Sequence, residues 1–224
     1  MKFLLLAALL ALPAGRVGGA ASSSQVSRVT LNAELIEAAG RGDAGAVRAL
    51  LARGASPGAR RADGRTALTA AALGDHVAVA RLLVDAGADP DPQDQARNNA
   101  LLVTGETGSV AMLREVLRAG PDLTRTNRFG GTALIPAADR GHVEYVRELL
   151  KTGVNVDHVN NLGWTALLEA VLLGDGGPRH TEIVRLLLAA GATPDLADRD
   201  GVTALEHARR RGYGGMVALL AAAH

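Results

Sequence analysis

Cysteine is missing from all 224 residues, which excludes disulfides, thiolate metal sites, cysteine nucleophiles and a cysteine-linked lipid anchor. Aromatic residues are scarce: Phe3, Phe129, Tyr145, Trp164 and Tyr213 are all there are. A core with so few rings must be built from alanine, leucine and valine in close contact, which suits short helices better than a β-sandwich. An excess of charge is missing too. The formal net charge is +1, and it falls to zero or slightly below if Lys2 and Arg16 leave with a leader, so no nucleic-acid partner is expected. Long hydrophobic runs are also absent: Phe3 to Leu12 is ten residues, against the roughly twenty that span a bilayer.

What is present is ordinary globular material, 48% hydrophobic and 21% charged, enough to bury a core. The chain opens with Met1 and Lys2, the short apolar run, Pro13, and a small-residue stretch ending Gly18-Gly19-Ala20-Ala21. That order of charge, hydrophobicity and small residues is the pattern of a secretory signal peptide. The expectation is a signal peptide over residues 1–21, processed after Ala20 or Ala21, and a flexible lead-in over 22–32. The mature protein would then be periplasmic or secreted, with no membrane span after cleavage.

Beyond residue 32 the sequence repeats itself. Thr66-Ala67-Leu68, Asn99-Ala100-Leu101, Thr132-Ala133-Leu134, Thr165-Ala166-Leu167 and Thr203-Ala204-Leu205 stand at intervals of 33, 33, 33 and 38 residues. Counting back one period reaches Ala33, ahead of the apolar pattern Leu35-Ile36-Glu37-Ala38-Ala39. Six units therefore start near 33, 66, 99, 132, 165 and 203, and fixed self-similarity at this period signals a solenoid. Within a unit, the threonine can cap a short helix such as Ala67 to Leu73. A break carrying glycine follows (Gly42, Gly74, Gly108, Gly141, Gly174 or Gly212), at the position where a helix ends in positive φ. A second helix then shows i, i+3, i+4 apolar spacing, as in Val77, Val79, Leu82 and Leu83 or in Val143, Val146, Leu149 and Leu150. Another glycine closes it, and about ten polar residues lead to the next threonine. No single unit buries its own apolar face, whereas a stack of six buries a continuous core.

These units resemble ankyrin repeats in their Thr-x-Leu start, the Gly141-His142 break and the Gly87-Ala88-Asp89 end. The resemblance covers residues 33–224 and implies an all-α ankyrin-repeat solenoid of about six helix-turn-helix units with short hairpin fingers. Joined to a signal peptide, it is similar to the exported ankyrin-repeat proteins of bacteria. Two features depart from the family. Alanine replaces the proline after the threonine in every unit, and the usual histidine after the leucine is Thr69, Leu102, Ile135, Leu168 or Glu206. The hydrogen bonds which that histidine makes between repeats are not carried over, and some loss of rigidity is expected.

Several conspicuous residues read as scaffold. His76, His142 and His180 sit one per repeat at the start of the second helix, where a bond to a neighbouring loop explains them better than a metal. Gly105-Glu106-Thr107-Gly108 lacks the preceding strand and the lysine of a phosphate loop, and reads as a bent turn between helices. No hydrolase elbow or dinucleotide fingerprint is present. The irregular segment Gly174 to His180 inserts about five residues and reads as a tolerated surface excursion or as a functional loop. Asp175, His180 and Glu169 are the side chains that would have to converge there for metal-dependent activity.

The ankyrin resemblance also implies that fingertips line a concave partner-binding face. By spacing, the exposed positions are Gln95 and Asn98, Arg128 and Phe129, Asn161 and Trp164, and Arg199 and Asp200, with Asp139 and Arg140 bordering the same face. Phe129 and Trp164 on adjacent fingers, flanked by arginine and asparagine, have the composition of a binding hot spot, or else brace the fingers. The expected function is a non-enzymatic protein–protein interaction module, with no cofactor, that binds a protein partner on repeats three to five. A secreted effector acting on another cell and a metal-dependent activity at residues 175–180 are the alternatives.

Overall fold

A helix can start only where something satisfies its first free N–H groups, and four of the repeated residues do so. The side chains of Thr66, Asn99, Thr165 and Thr203 accept from the backbone N–H of Thr69, Leu102, Leu168 and Glu206. Thr132 breaks the series. The chain already turns at Ala133, Ile135 N–H donates to the Thr132 carbonyl at 3.2 Å, and the buried Thr132 hydroxyl has no hydrogen-bond partner. Pro136 follows in the first turn of that helix, where its missing N–H costs nothing.

The computed structural model describes residues 19–223, with side chains from residue 28 onward. These form twelve helices: α1 (Gly19–Gly40), α2 (Ala44–Ala52), α3 (Ala67–Leu73), α4 (Val77–Asp85), α5 (Ala100–Thr107), α6 (Val110–Arg118), α7 (Leu134–Asp139), α8 (Val143–Leu149), α9 (Ala166–Leu172), α10 (Pro178–Ala189), α11 (Ala204–Arg211) and α12 (Gly214–Ala222). Odd-numbered helices pack on odd-numbered neighbours and even on even, so two parallel rows run the length of the stack. Between them lies one core of alanine, leucine and valine, and among the described residues Tyr145 is the one Phe, Tyr or Trp ring buried in it. Burial raises the Tyr145 phenol well above its ordinary range, and its hydroxyl bonds to Thr104 at 2.8 Å.

Most of the residues of the expected signal peptide lie outside the described residues. Residues 22–32 are helical in α1 and not the flexible lead-in that their composition suggests. No glycine or proline stands between Gly19 and Gly40, and buried Leu31, Leu35 and Ile36 fasten the helix to the core. A second correction concerns Gly105-Glu106-Thr107-Gly108. The first three residues complete α5, and only Gly108 turns away in the left-handed region. Gly105 is there for space, because a Cβ would strike the Ala133 carbonyl oxygen of the neighbouring repeat.

The inserted segment after Gly174 is also more than a surface excursion. Pro178 opens α10, which at 12 residues is longer than the 7–9 of the other second helices. The Tyr213 hydroxyl donates to the Gly174 carbonyl at 3.1 Å, and its ring lies against Gly176. This bond belongs to a series. His76 Nε2 meets Gly40 O at 3.1 Å, His142 Nε2 meets Glu106 O at 3.2 Å, and His180 Nε2 meets Asp139 O at 2.8 Å. Each ties the start of a second helix to the end of the previous repeat's first helix, where carbonyls lack helical partners. The three histidines are therefore cross-repeat ties, as their spacing suggests.

Ion pairs link the even-numbered row. Glu115 lies between Arg81 and Arg118, each at 2.6 Å, and Arg118 reaches Asp85 at 2.6 Å. Glu148 takes Arg114 at 3.0 Å and Lys151 at 2.6 Å. Glu182 takes Arg147 at 2.9 Å and Arg185 at 2.6 Å. Burial opposes the ionisation of Glu115, but its hydrogen bonds from Arg81 and Arg118 outweigh that and hold the carboxyl below its usual range. Hydrogen bonds from Arg185 and Arg147 lower Glu182 to about 2.

Candidate partner-binding groove

Every finger after the first is shaped by one side chain at its base. Asp94, Asn127, Asn160 and Asp198 turn Oδ1 back onto the N–H groups two and four residues ahead, at 2.9–3.0 Å. This double Asx bond folds the hairpin locally. It also sets which residue stands at the tip, two positions past the base: Ala96, Phe129, Leu162 and Asp200. The turn residue after the tip is in the left-handed region in every finger, and it is glycine at 64, 130, 163 and 201 but Arg97 in the second.

Backbone and side-chain bonds then join finger to finger. Gln95 N–H donates to Asp63 O at 2.8 Å, and Asn161 N–H to Phe129 O at 2.9 Å. Gln93 Nε2 donates to Thr126 O at 2.8 Å, and the Arg199 guanidinium donates to Asn161 O. Between this row of fingers and the odd-numbered helices runs a groove. Leu73, Ala96, Asn98, Glu106 and Arg128 line one stretch of about 250 Å³. Phe129 and Glu106 also belong to the next cleft, of about 200 Å³, with Ile135, Pro136, Asp139, Arg140, Leu162 and Glu169.

Phe129 is 55% exposed and Leu162 52% exposed, so two large apolar side chains on adjacent fingertips face solvent above this cleft. The Arg128 guanidinium lies 4.7 Å from the Phe129 ring centroid, close enough for a cation–π contact. Trp164 is placed differently from its expected role beside Phe129. It is half-buried and packs against the core, because it lies four residues past the base of its finger and not two. Leu162 holds the fingertip position instead.

Of the other sequence-derived positions, Asn98, Arg128, Asp139 and Arg140 line the groove with Phe129. Gln95, Asn161 and Arg199 are exposed but occupied in finger-to-finger bonds, and Asp200 is exposed at the last tip. Arg140 pairs with Glu106 across the repeat boundary at 2.8 Å.

Sequence reasoning did not assign Glu169 to this groove. It stands four residues after Thr165, where other repeats carry Ala70, Val103, Pro136 and His207, and a lone acid at that register position was the available signal. Glu169 is only 5% exposed, and its Oε1 accepts from Asn160 Nδ2 at 2.7 Å. Burial and the nearby Asp139 carboxylate push its carboxyl up to about 7, against the lowering effect of that hydrogen bond. His180 is occupied elsewhere, with Nδ1 2.9 Å from Asp175 and Nε2 on Asp139 O. Among the described residues no three His, Asp or Glu side chains are grouped to hold a metal ion, so the ligand set considered at the insertion does not form. No helix among them is long and apolar enough to cross a membrane.

Comparison with known proteins agrees with this geometry. The family described as ankyrin repeats (3 copies) matches residues 35–127 and 102–198. The crystal structure of an ankyrin repeat domain from Acinetobacter baumannii AYE is similar at 49% identity and a TM-score of 0.82, over 84% of this chain and 96% of that one. A second solved ankyrin repeat protein is 36% identical with a TM-score of 0.81, over 85% and 97% of the two chains. The ankyrin repeat domain of Bcl-3, a member of the IkappaB protein family, is 29% identical with a TM-score of 0.75, over 85% of each. No curated protein matches the chain. Period, helix rows, fingers and these likenesses coincide over the same residues, and the chain belongs to the ankyrin-repeat family.

Proposed function

We propose that this protein is an exported, non-enzymatic interaction module of the periplasm or secreted space, which binds a protein partner in the groove of repeats three to five. Ankyrin repeats indicate a protein–protein interaction module. The observation that carries the finer reading is the exposed pair Phe129 and Leu162 above the groove. Large apolar side chains on neighbouring tips bury most of their area only under a partner. Export rests on the order of charge, apolar run and small residues over 1–21.

The test is capture from an envelope extract of the source organism by the purified protein, with Phe129→Ala and an Arg209→Ala control beside the wild type. A co-purifying protein lost with Phe129→Ala and kept with Arg209→Ala supports the groove. Equal capture by all three places the contact elsewhere. N-terminal sequencing of the native protein, expected to begin near Ala21 or Ser22, tests export independently.

A further inference from the structure

The Phe129–Leu162 cleft carries negative charge that its own lining does not balance. Four ionisable side chains line it: Glu106, Asp139, Arg140 and Glu169. Arg140 is committed to Glu106. That leaves Asp139, whose carboxylate has no ion pair, beside Glu169, whose one hydrogen bond comes from the neutral amide of Asn160. Both line a cleft together with the apolar side chains of Phe129, Ile135, Pro136 and Leu162. Neighbouring carboxylates repel, and the buried one is costly to ionise. A cation placed between them offsets both penalties.

We propose, resting on the groove reading above, that this cleft receives a lysine or arginine side chain from an extended segment of the protein partner. The aliphatic stem lies between Phe129 and Leu162, and the cationic head meets Asp139 and Glu169. Lysine and arginine have this division of character, an apolar stem carrying a charged end. A wholly apolar side chain would fill the walls and leave the carboxylates buried and unpaired. An acidic one would add a third negative charge to them.

Binding is then coupled to loss of a proton from Glu169. The charged or titratable groups of the elements packed against α9 are Asp139 and Arg140 at the end of α7, Asp175, Arg179, His180, Glu182 and Arg185 at α10, and Glu206, His207, Arg209, Arg210 and Arg211 on α11. Arg140 is paired with Glu106, His180 with Asp175, and His207 with Asp198 at 2.7 Å. Asp139 is the charge that acts on Glu169. With a carboxyl titrating near 7, the charged fraction rises about tenfold between pH 6 and pH 8.

A random dodecapeptide display library panned against the full chain at pH 8 supplies the probe, and the best peptide is then measured by fluorescence anisotropy. The expected result is enrichment of one lysine or arginine next to apolar residues, and affinity about tenfold weaker at pH 6 than at pH 8. Asp139→Asn with Glu169→Gln should weaken the peptide by about tenfold or more and remove the pH dependence. A cooperative thermal transition at a midpoint no lower than that of the wild type shows that the variants are folded. Enrichment without a basic residue, affinity indifferent to the double variant, or failure to enrich any peptide overturns the cation site. So does free spermidine binding as tightly as the peptide, since the cleft would then select a small polycation. The envelope capture with Phe129→Ala judges the groove reading on its own, because that variant leaves both carboxylates in place.

Discussion

Along the even-numbered helices the charges close on one another, whereas along the groove they are left open. Arg81, Glu115, Arg118 and Asp85 form a chain across α4 and α6, and Glu148 and Glu182 each hold two cations. On the groove side, Phe129, Leu162 and Leu73 face solvent, and Asp139 and Glu169 share a cleft without a cation of their own. Both sides rest on the same core, and both are tied from repeat to repeat. The difference teaches where this stack has spare interaction capacity. A face whose groups satisfy each other has little to gain from a partner, while one that leaves apolar side chains exposed and carboxylates unpaired gains on both counts.

The largest effect on stability is expected where two repeats meet most closely within the odd-numbered row. Gly105→Ala drives a methyl into the Ala133 carbonyl, and should cost about 3 kcal/mol by chemical denaturation, since backbone must move to relieve it. A loss near zero would show that the repeat interface slides easily, and that the groove has no fixed width.

Glu169→Gln should act in the opposite direction. A carboxyl whose folded value is raised to about 7 from 4.5 adds stability below the lower value and loses it as pH rises through the upper. Removing it should therefore raise stability at pH 8 by roughly 2 kcal/mol and change little at pH 4. Denaturation profiles of the two proteins from pH 4 to 8 check this, and parallel profiles would deny that Glu169 is strained in the free protein.

Glu115→Ala sharpens the other side of the comparison. Its carboxyl is held below the ordinary range, so it contributes stability above its unfolded value, and that contribution disappears as pH falls through the lowered folded value. Because Arg81 and Arg118 are more than half exposed, the loss at pH 7 should be about 1 kcal/mol. Partner capture should not change.

Much of the scaffold was legible because repetition multiplies weak signals. One Thr-Ala-Leu is a poor helix start, but the motif at a near-constant period fixes helix order, and the histidines at three of the second-helix starts could be read as ties. The fingers were less legible. Attention to their sparse aromatics linked Phe129 with Trp164, while the residues that set tip register, Asp94, Asn127, Asn160 and Asp198, repeat at the same intervals. Read first, they give Leu162 as the partner of Phe129. The pairing of Glu169 with Asp139 was beyond spacing alone, since it depends on how α7 and α9 lie side by side. The helical course of 22–32 was missed because serine-rich composition suggests a linker, yet three buried apolar residues outweigh a weak propensity.

The smallest expected change in stability gives the most direct test. Phe129→Ala with Leu162→Ala removes both exposed fingertips, and by thermal denaturation should alter stability by no more than about 0.5 kcal/mol, as surface substitutions do. Measured on the same protein, capture of the envelope partner should fall by the equivalent of about 2 kcal/mol or more, close to thirtyfold. A large fall in the thermal midpoint with capture intact would contradict the account, because the fingertips would then be holding the stack together and the open face would lie elsewhere.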